Sequence, residues 1–578
     1  MQRCTWILPR ADAPLESDAG TLHRELGLPL AVARLLCRRG YRDVESARQL
    51  LHPSLEQLLD PLLMMDMDRA SERLARAVRE REHIVINGDY DTDGITGTAL
   101  LVSELRRLGA RVDFFIPDRE RDGYGVTPRL VQRAGEVGVK VLISVDCGSS
   151  DHEALEKARA LGIDAIVVDH HEIPQRPQAA WAVLNPKRSD CAYPFKSLSA
   201  VGVAYKLLQA VGARLQRDAT PEDGLDLVIL GTLADVQPVV DENRVMAALG
   251  LARLRSDSLR PGVRALLASA GVRAEEVRSG HIGFRMAPRL NAVGRVARGK
   301  LGVDLLLAAD TRVAGELASR VEGQNTLRKQ IQEQMVTEAR ESAARLWSEA
   351  PRPALVLASE SWHHGVVGIV AARLCDDYGV PSVLIAIHNG VGRGSIRSAG
   401  DVDVRAALQE TSELLLKFGG HREACGLTIE PEKIPAFRER FEVAVGRQLD
   451  AAVPPTLHVD AALQAIEVEP ELVDALDRLE PFGTGNPEPL FLLEGARVGQ
   501  RSRLVGAGHL KLDLEMQDGR TLDAIAFGWG RDVNPADVIG NRLDALGYMR
   551  RQDPRWGGGC QLVVADLRPH GTPVGESP

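Results

Sequence analysis

Three aspartates occupy alternate positions in the stretch GDYDTDG (88–94): Asp89, Asp91 and Asp93. Carboxylates crowded this closely repel one another unless something positive sits between them. Further along, Asp146 follows an apolar run in VDCGSSDH (145–152), and His170 and His171 follow another in VVDHHE (167–172). Asp235 follows a third, in GTLADVQP (231–238). Carboxylates together with imidazole suit Mn²⁺, Mg²⁺ or Fe²⁺, and the lack of thiolate spacing argues against structural zinc. These groups exceed what one ion needs. Two ions sharing a bridging carboxylate would use them all, and such pairs split phosphoesters by in-line attack of activated water. Other readings compete at the first motif. An EF-hand loop fits Asp89 to Gly94 but requires Glu at its twelfth position, where Leu100 stands. An aspartyl-phosphate enzyme would use Asp91 and Asp93 and leave the histidines unexplained. A solvated Asp-rich turn explains the first motif alone, but not the joint placement of all four.

The elements that must position these residues follow from periodicity. His83 to Ile86 is a short, β-branched run without alternation, which predicts a buried strand of a parallel sheet. Ile95 to Leu108 carries apolar residues at helical spacing. Strands are then predicted at VDFFI (112–116), VLISV (141–145) and AIVV (165–168), alternating with helices at 127–134, 151–161 and 200–215. The run LDLVILGTL (225–233) is read as one more apolar segment delivering its acid to the same edge. The alternation predicts a doubly wound α/β sheet, whose carboxyl edge is where such folds place ligands.

Composition sets the outer bounds. A chain of 578 residues is too long for one core, and 44% hydrophobic with 26% charged residues is ordinary for a soluble protein. No apolar run reaches membrane-spanning length, and the first residues lack a signal-peptide core, so a cytoplasmic protein with no membrane partner is expected. The seven scattered cysteines fit reduced thiols rather than a disulfide framework. A net charge of −9 argues against unspecific coating of nucleic acid, though not against a local basic channel. One such stretch, Ile282 to Val303, carries Arg285, Arg289, Arg295, Arg298 and Lys300 without an acid, and its Pro and Gly residues predict an ordered loop.

The four acid and histidine motifs, in this order and spacing, resemble the metal motifs of the DHH phosphoesterase superfamily, and within it the bacterial single-strand exonucleases. GFRMAPRLNAVGR (283–295), WHHGVVGIVAARL (362–374) and KFGGHREACGL (417–427) extend the likeness over most of the chain. The resemblance implies a two-metal site binding Mn²⁺ or Mg²⁺. Its ligands would be Asp91, Asp93, Asp146, His170 and Asp235, with Asp146 bridging, Asp89 additional and His171 near the scissile phosphate. Asn87 stands where many members have a metal-binding histidine. The resemblance further implies 5′-to-3′ degradation of single-stranded DNA in repair and recombination, with a single-strand-binding protein and a RecQ-type helicase as partners. Arg119, Ser395 and Arg397 are expected to hold a 5′ phosphate, Arg289 and Arg295 to guide the strand, and Asn291 and His421 to contact it. A nanoRNase or other small-phosphodiester hydrolase is the enzymatic alternative. A non-catalytic single-strand clamp is the other, disfavoured by the full set of acids.

The domain plan reads as an N-terminal helical and loop region (1–67), the DHH catalytic domain (68–310) and a long, mostly polar connecting helix (311–350). A smaller α/β DHH-associated domain (351–453) follows, carrying GSIRS (394–398) and FGGH (418–421). Short alternating runs predict a C-terminal β-barrel of OB type (456–569), and a disordered tail (570–578) ends the chain. In the barrel Arg501, Arg503, Lys511, Arg550 and Arg551 could track phosphates; a packing module is the plain alternative.

Overall fold

The computed structural model describes residues 4–8, 13–118, 122–173, 179–217, 224–449, 456–506, 508–552, 558–572 and 575–576. They fall into two compact units, one of residues 60–235 and 252–453, the other of residues 1–59, 236–251 and 454–578.

The larger unit is built on a five-stranded parallel sheet ordered Arg111–Phe115, His83–Gly88, Val141–Val145, Asp164–Val168, Ala182–Leu184. In chain order this is 2-1-3-4-5, so the direction of winding reverses between His83–Gly88 and Val141–Val145. That reversal opens the crevice in which doubly wound folds bind ligands. Both strands are buried at every residue, as expected of a sheet covered on two faces. The register sets Gly88 beside Val145. Asp89 N then donates to Val145 O (3.1 Å) and Asp146 N to Val168 O (3.0 Å), so successive acids leave the sheet at one edge.

Helices Thr92–Arg107 and Ala200–Leu215 pack against this sheet, and Leu225–Ala234 packs on both of them. The last of these is the apolar segment 225–233, whose kind of element the sequence reading left open. Ten residues, apolar on every side and almost wholly buried, make a core helix rather than a strand. The basic stretch after Ile282 is not a loop either. It forms a π-helical turn, Ile282–Met286, that runs into the helix Ala287–Val296. Pro288 stands where the π-helical turn passes into this helix.

The helix Thr311–Glu349, about 58 Å long at ~1.5 Å per residue, packs its early turns against 287–296 and its later turns against Val367–Tyr378. Ala314, Ala318 and Val321 are buried in its early turns, and Met335, Ala339 and Ala343 in its later turns share a core with Val367, Val370 and Ala371. It leads to a five-stranded mixed sheet, Leu415–Gly420, Ala424–Ile429, Val391–Arg397, Ser382–His388, Leu355–Ser359, in which only the last two strands pair in parallel.

In the smaller unit a seven-stranded sheet spans 461–569, and Phe491–Val498 also pairs with His509–Glu515 to close it partly, in the OB manner. Helices Ala13–Leu26, Leu30–Arg38 and Val44–Leu51 share its core, where Leu22, Leu35 and Leu36 meet Phe491, Leu512 and Leu543. Thr5–Leu8 pairs in parallel with Thr456–His458 and with Gly575–Glu576, so those two residues form a strand where the sequence suggested a disordered tail. Backbone pairing of this kind leaves no side-chain pattern to read. The basic residues expected to track phosphate are mostly paired: Arg501 with Asp513 (2.7 Å), Lys511 with Asp523 (3.2 Å), Arg550 with Glu488 (2.7 Å) and Arg551 with Asp474. Among the described residues no helix is long and apolar enough to cross a membrane.

Candidate metal centre and substrate cleft

The first acid loop turns tightly between the strand 83–88 and the helix Thr92–Arg107. Gly94 is obligatory in it, since a Cβ there would lie 2.5 Å from Asp89 O. Asp91 caps the helix by accepting from Gly94 N (3.1 Å), and Asp89 is buried at the strand end. Asp93 lies inside the helix's first turn, 1% exposed. Its two oxygens accept from Ala200 N (2.7 Å) and Val201 N (2.9 Å), at the amino end of the helix Ala200–Leu215. Asp146 leaves its strand with φ of 62°, the left-handed region that costs a non-glycine residue roughly 1–3 kcal/mol but that aspartate tolerates better than most.

These residues converge. His170 Nε2 lies 3.2 Å from Asp146, 3.4 Å from Asp235 and 3.9 Å from Asp93. Asp89, Asp91 and Asp146 form one group with ligand atoms within 4.8 Å of one another, and Asp93, His170 and Asp235 form a second. Asp146 and the two histidines form a third, so Asp146 stands in the middle. Burial, and then the charges of Asp91, Asp93, Asp89 and Asp235, push the Asp146 carboxyl far above the usual range. Burial followed by Asp235 and Asp91 does the same to Asp93, against its two backbone donors.

The histidines diverge. Burial, then the neighbouring His171, holds His170 down at about 3, so its imidazole is neutral and able to bind a metal. Burial also disfavours charge on His171, but its hydrogen bond to Asp169 (2.7 Å) and the nearby carboxylates outweigh that and raise it to about 9. Asp169, the residue the sequence reading passed over, organises the pair. It accepts from His170 N, His171 N, His171 Nδ1 and Ser149 N at 2.7–3.2 Å. Burial opposes its charge, yet these bonds hold its carboxyl well below the normal range. The signal was present in the sequence, since an acid directly preceding two histidines is placed to fix an imidazole.

A divalent cation fits this donor set. Among the described residues Asp146 Oδ1 and both His170 ring nitrogens are buried without a hydrogen-bond partner. Asn87, in the histidine's usual place, turns its Nδ2 toward Cys147 Sγ (3.4 Å), with its Oδ1 buried and equally unpartnered among those residues.

Beside the acids opens a cavity of about 950 Å³, lined by Tyr90, Tyr124, His171, Arg295, Ser395 and Arg397 among others. Tyr124 reaches the acids through its hydroxyl, which donates to Asp146 O (3.1 Å), and its ring meets Tyr90 edge-on. Arg397 donates to Ser395 Oγ (2.9 Å) and Ile396 O (2.8 Å), leaving further N–H groups for a ligand. His364, Arg393 and Lys417 also line the cavity and were not singled out from sequence. Arg295 donates to Gly365 O (3.0 Å) at the same wall. His421 sits exposed at the turn between Gly420 and Ala424, which line the cavity.

Two residues expected to meet the strand have partners within the protein. Asn291 accepts from Thr92 N and Thr92 Oγ1, both at 2.8 Å, and so anchors the metal-loop helix. Arg289 pairs with Glu322 (2.6 Å) and donates to Ser269 O and Arg285 O. Arg119 lies outside the described residues.

Comparison with known proteins agrees with this geometry. Residues 83–232 match the DHH family N-terminal domain, 352–446 the DHHA1 domain and 459–566 the RecJ OB domain. The single-stranded-DNA-specific exonuclease RecJ of Bacillus subtilis (strain 168) is 36% identical over 551 residues, covering 94% of this chain and 68% of that protein. The protein of the same name from Escherichia coli (strain K12) is 37% identical over 522 residues, covering 86% of this chain and 89% of its own length. The crystal structure of RecJ in complex with Mn²⁺ from Thermus thermophilus superposes with a TM-score of 0.83 at 29% identity, covering 99% of this chain and 81% of that one. The acid and histidine motifs, the three matched domains and identity over most of the chain lead to one conclusion: this chain belongs to the RecJ family of the DHH phosphoesterases.

Proposed function

We propose that the chain hydrolyses single-stranded DNA from its 5′ end, one phosphodiester bond at a time, at the buried acid and histidine cluster. The observation that carries this is the cluster itself: buried carboxylates around a neutral imidazole, open to a cleft that Arg397 and Ser395 close on the far side. Asp89, Asp91 and Asp146 would hold one divalent ion and Asp93, His170 and Asp235 the other, with Asp146 shared. Mn²⁺ or Mg²⁺ bound there supplies the charge that lowers the pKa of water and offsets the charge developing on the phosphate. The chain's own residues do the rest. Asp169 fixes the His171 ring and favours its charged form, which can donate to a non-bridging phosphate oxygen. The Arg397 fork and Ser395 hydroxyl take the terminal phosphate. A cytoplasmic location, a role in repair and recombination, and partnership with a single-strand-binding protein and a RecQ-type helicase complete the reading.

The test compares turnover of a long single strand, a dinucleotide and pyrophosphate at equal Mn²⁺, with 5′-phosphoryl and 5′-hydroxyl ends on the long strand. The long strand should be the best substrate, the phosphorylated end should be preferred, and Arg397→Ala should shrink that preference. A dinucleotide turned over faster than the long strand would identify a small-substrate enzyme instead.

A further inference from the structure

Phe284 is the anomaly of the larger unit. Its ring is 87% exposed, although its neighbours on the same π-helical turn, Ile282 and Met286, are buried. The surface around it is bare, since a Cβ on Gly280 or Gly283 would meet nothing within 4 Å. Single-turn π-helices occur often at functional sites, where they turn a side chain out of the regular helical phase. The setting is cationic. Arg285, the next residue, is exposed, and after burial the charges of Arg285 and Arg278 hold His281 below its usual range, with Glu276 acting the other way. From Val277 to Val303 the sequence contains no acid.

The turn runs directly into the helix Ala287–Val296, whose Asn291 anchors the metal-loop helix and whose Arg295 lines the cleft. Phe284 and Arg295 are eleven positions apart, or about 16 Å along a helix, which is about five nucleotides at the ~3.4 Å spacing of a stacked strand. An isolated aromatic face in a positive field suits a nucleobase whose phosphates the arginines attract. We infer that Phe284 is a stacking platform for a base of the single strand, a few nucleotides from the bond being cut. This deepens the proposed exonuclease reading and rests on it. Phe284 is a positioning residue that touches the strand but not the reacting atoms.

Phe284→Ala and Phe284→Trp in the full chain test it through two readouts. In chelator, the Kd for a fluorescent single strand longer than this span should rise about five- to tenfold in Phe284→Ala, the low end for base–aromatic stacking, and return in Phe284→Trp. With Mn²⁺ the same variant should raise KM on that strand by the same factor at unchanged kcat, and leave dinucleotide turnover as in the wild type. The salt slope of Kd should stay constant, whereas Arg285→Ala should lower it by about one. Because the Kd readout needs no hydrolysis, a wild type inactive on long strands would sink the exonuclease reading while Phe284 is still judged by binding. A Kd within about twofold of wild type overturns the inference. So does an equal KM rise on the dinucleotide, or a defect seen only on protein-coated strands, which would assign Phe284 to a protein contact.

Discussion

His170 and His171 are adjacent in sequence and opposite in character. Burial leaves the first neutral, while Asp169 makes the second a cation. The difference carries a pH signature. The folded His171 value of about 9 lies above the unfolded ~6.5. Its pairing with Asp169 therefore stabilises the fold fully below about pH 6.5 and loses that effect as pH rises through 9. In metal-free protein, the melting-temperature gap between wild type and His171→Gln should be widest near pH 6 and close above pH 9; a gap that widens with pH would contradict the pairing. The ligand-type residues were legible in the sequence because four apolar runs each end in an acid or histidine. The supporting residues were not. Asn291 and Arg289 have partners, Thr92 and Glu322, that are remote in sequence and brought near by folding.

At the scale of elements, the parallel sheet was legible because its strands are short, β-branched and punctuated by turns. The helix Leu225–Ala234 was not legible as one because a fully buried helix shows no polar stripe, and composition alone then resembles a buried strand. Its close packing is itself testable. A Cβ on Gly231 would meet Thr96 Oγ1 at 2.6 Å and Asp93 Oδ1 at 2.7 Å. Helix propensity favours Gly231→Ala by about 1 kcal/mol, but overpacking costs about 1–3 kcal/mol, and here it falls on a carboxylate already fixed by two backbone donors. Denaturant melts should show a net loss of stability, and titration should show weaker Mn²⁺ binding. A stabilised variant with unchanged affinity would mean that the contact relaxes freely.

At the scale of the molecule, the OB-type barrel is not a detachable module, which its sequence pattern could not reveal. The N-terminal helices contribute Leu22, Leu35 and Leu36 to the core they share with Phe491, Leu512 and Leu543. Removing 456–578 should therefore unfold residues 13–51 as well, seen as loss of helical signal and aggregation on size exclusion. A monomeric truncation with those helices intact would show that the shared core is dispensable. Substitutions on the barrel surface, such as at exposed Phe527, are thus the sounder probe of its part in strand binding.

The central claim is that the buried acids are a metal site that performs hydrolysis. Asp146→Asn addresses it most directly, because asparagine tolerates the same left-handed backbone and removes only the charge. In chelator the variant should melt higher than wild type, since a carboxyl whose ionisation is opposed by burial and then by its acidic neighbours is gone. With Mn²⁺ the wild type should gain stability by mass action and degrade a long single strand. The variant should gain little and lose more than about 100-fold in turnover, the upper end for the supporting partners of a ligand. Near wild-type turnover with an undiminished Mn²⁺ shift would contradict the account.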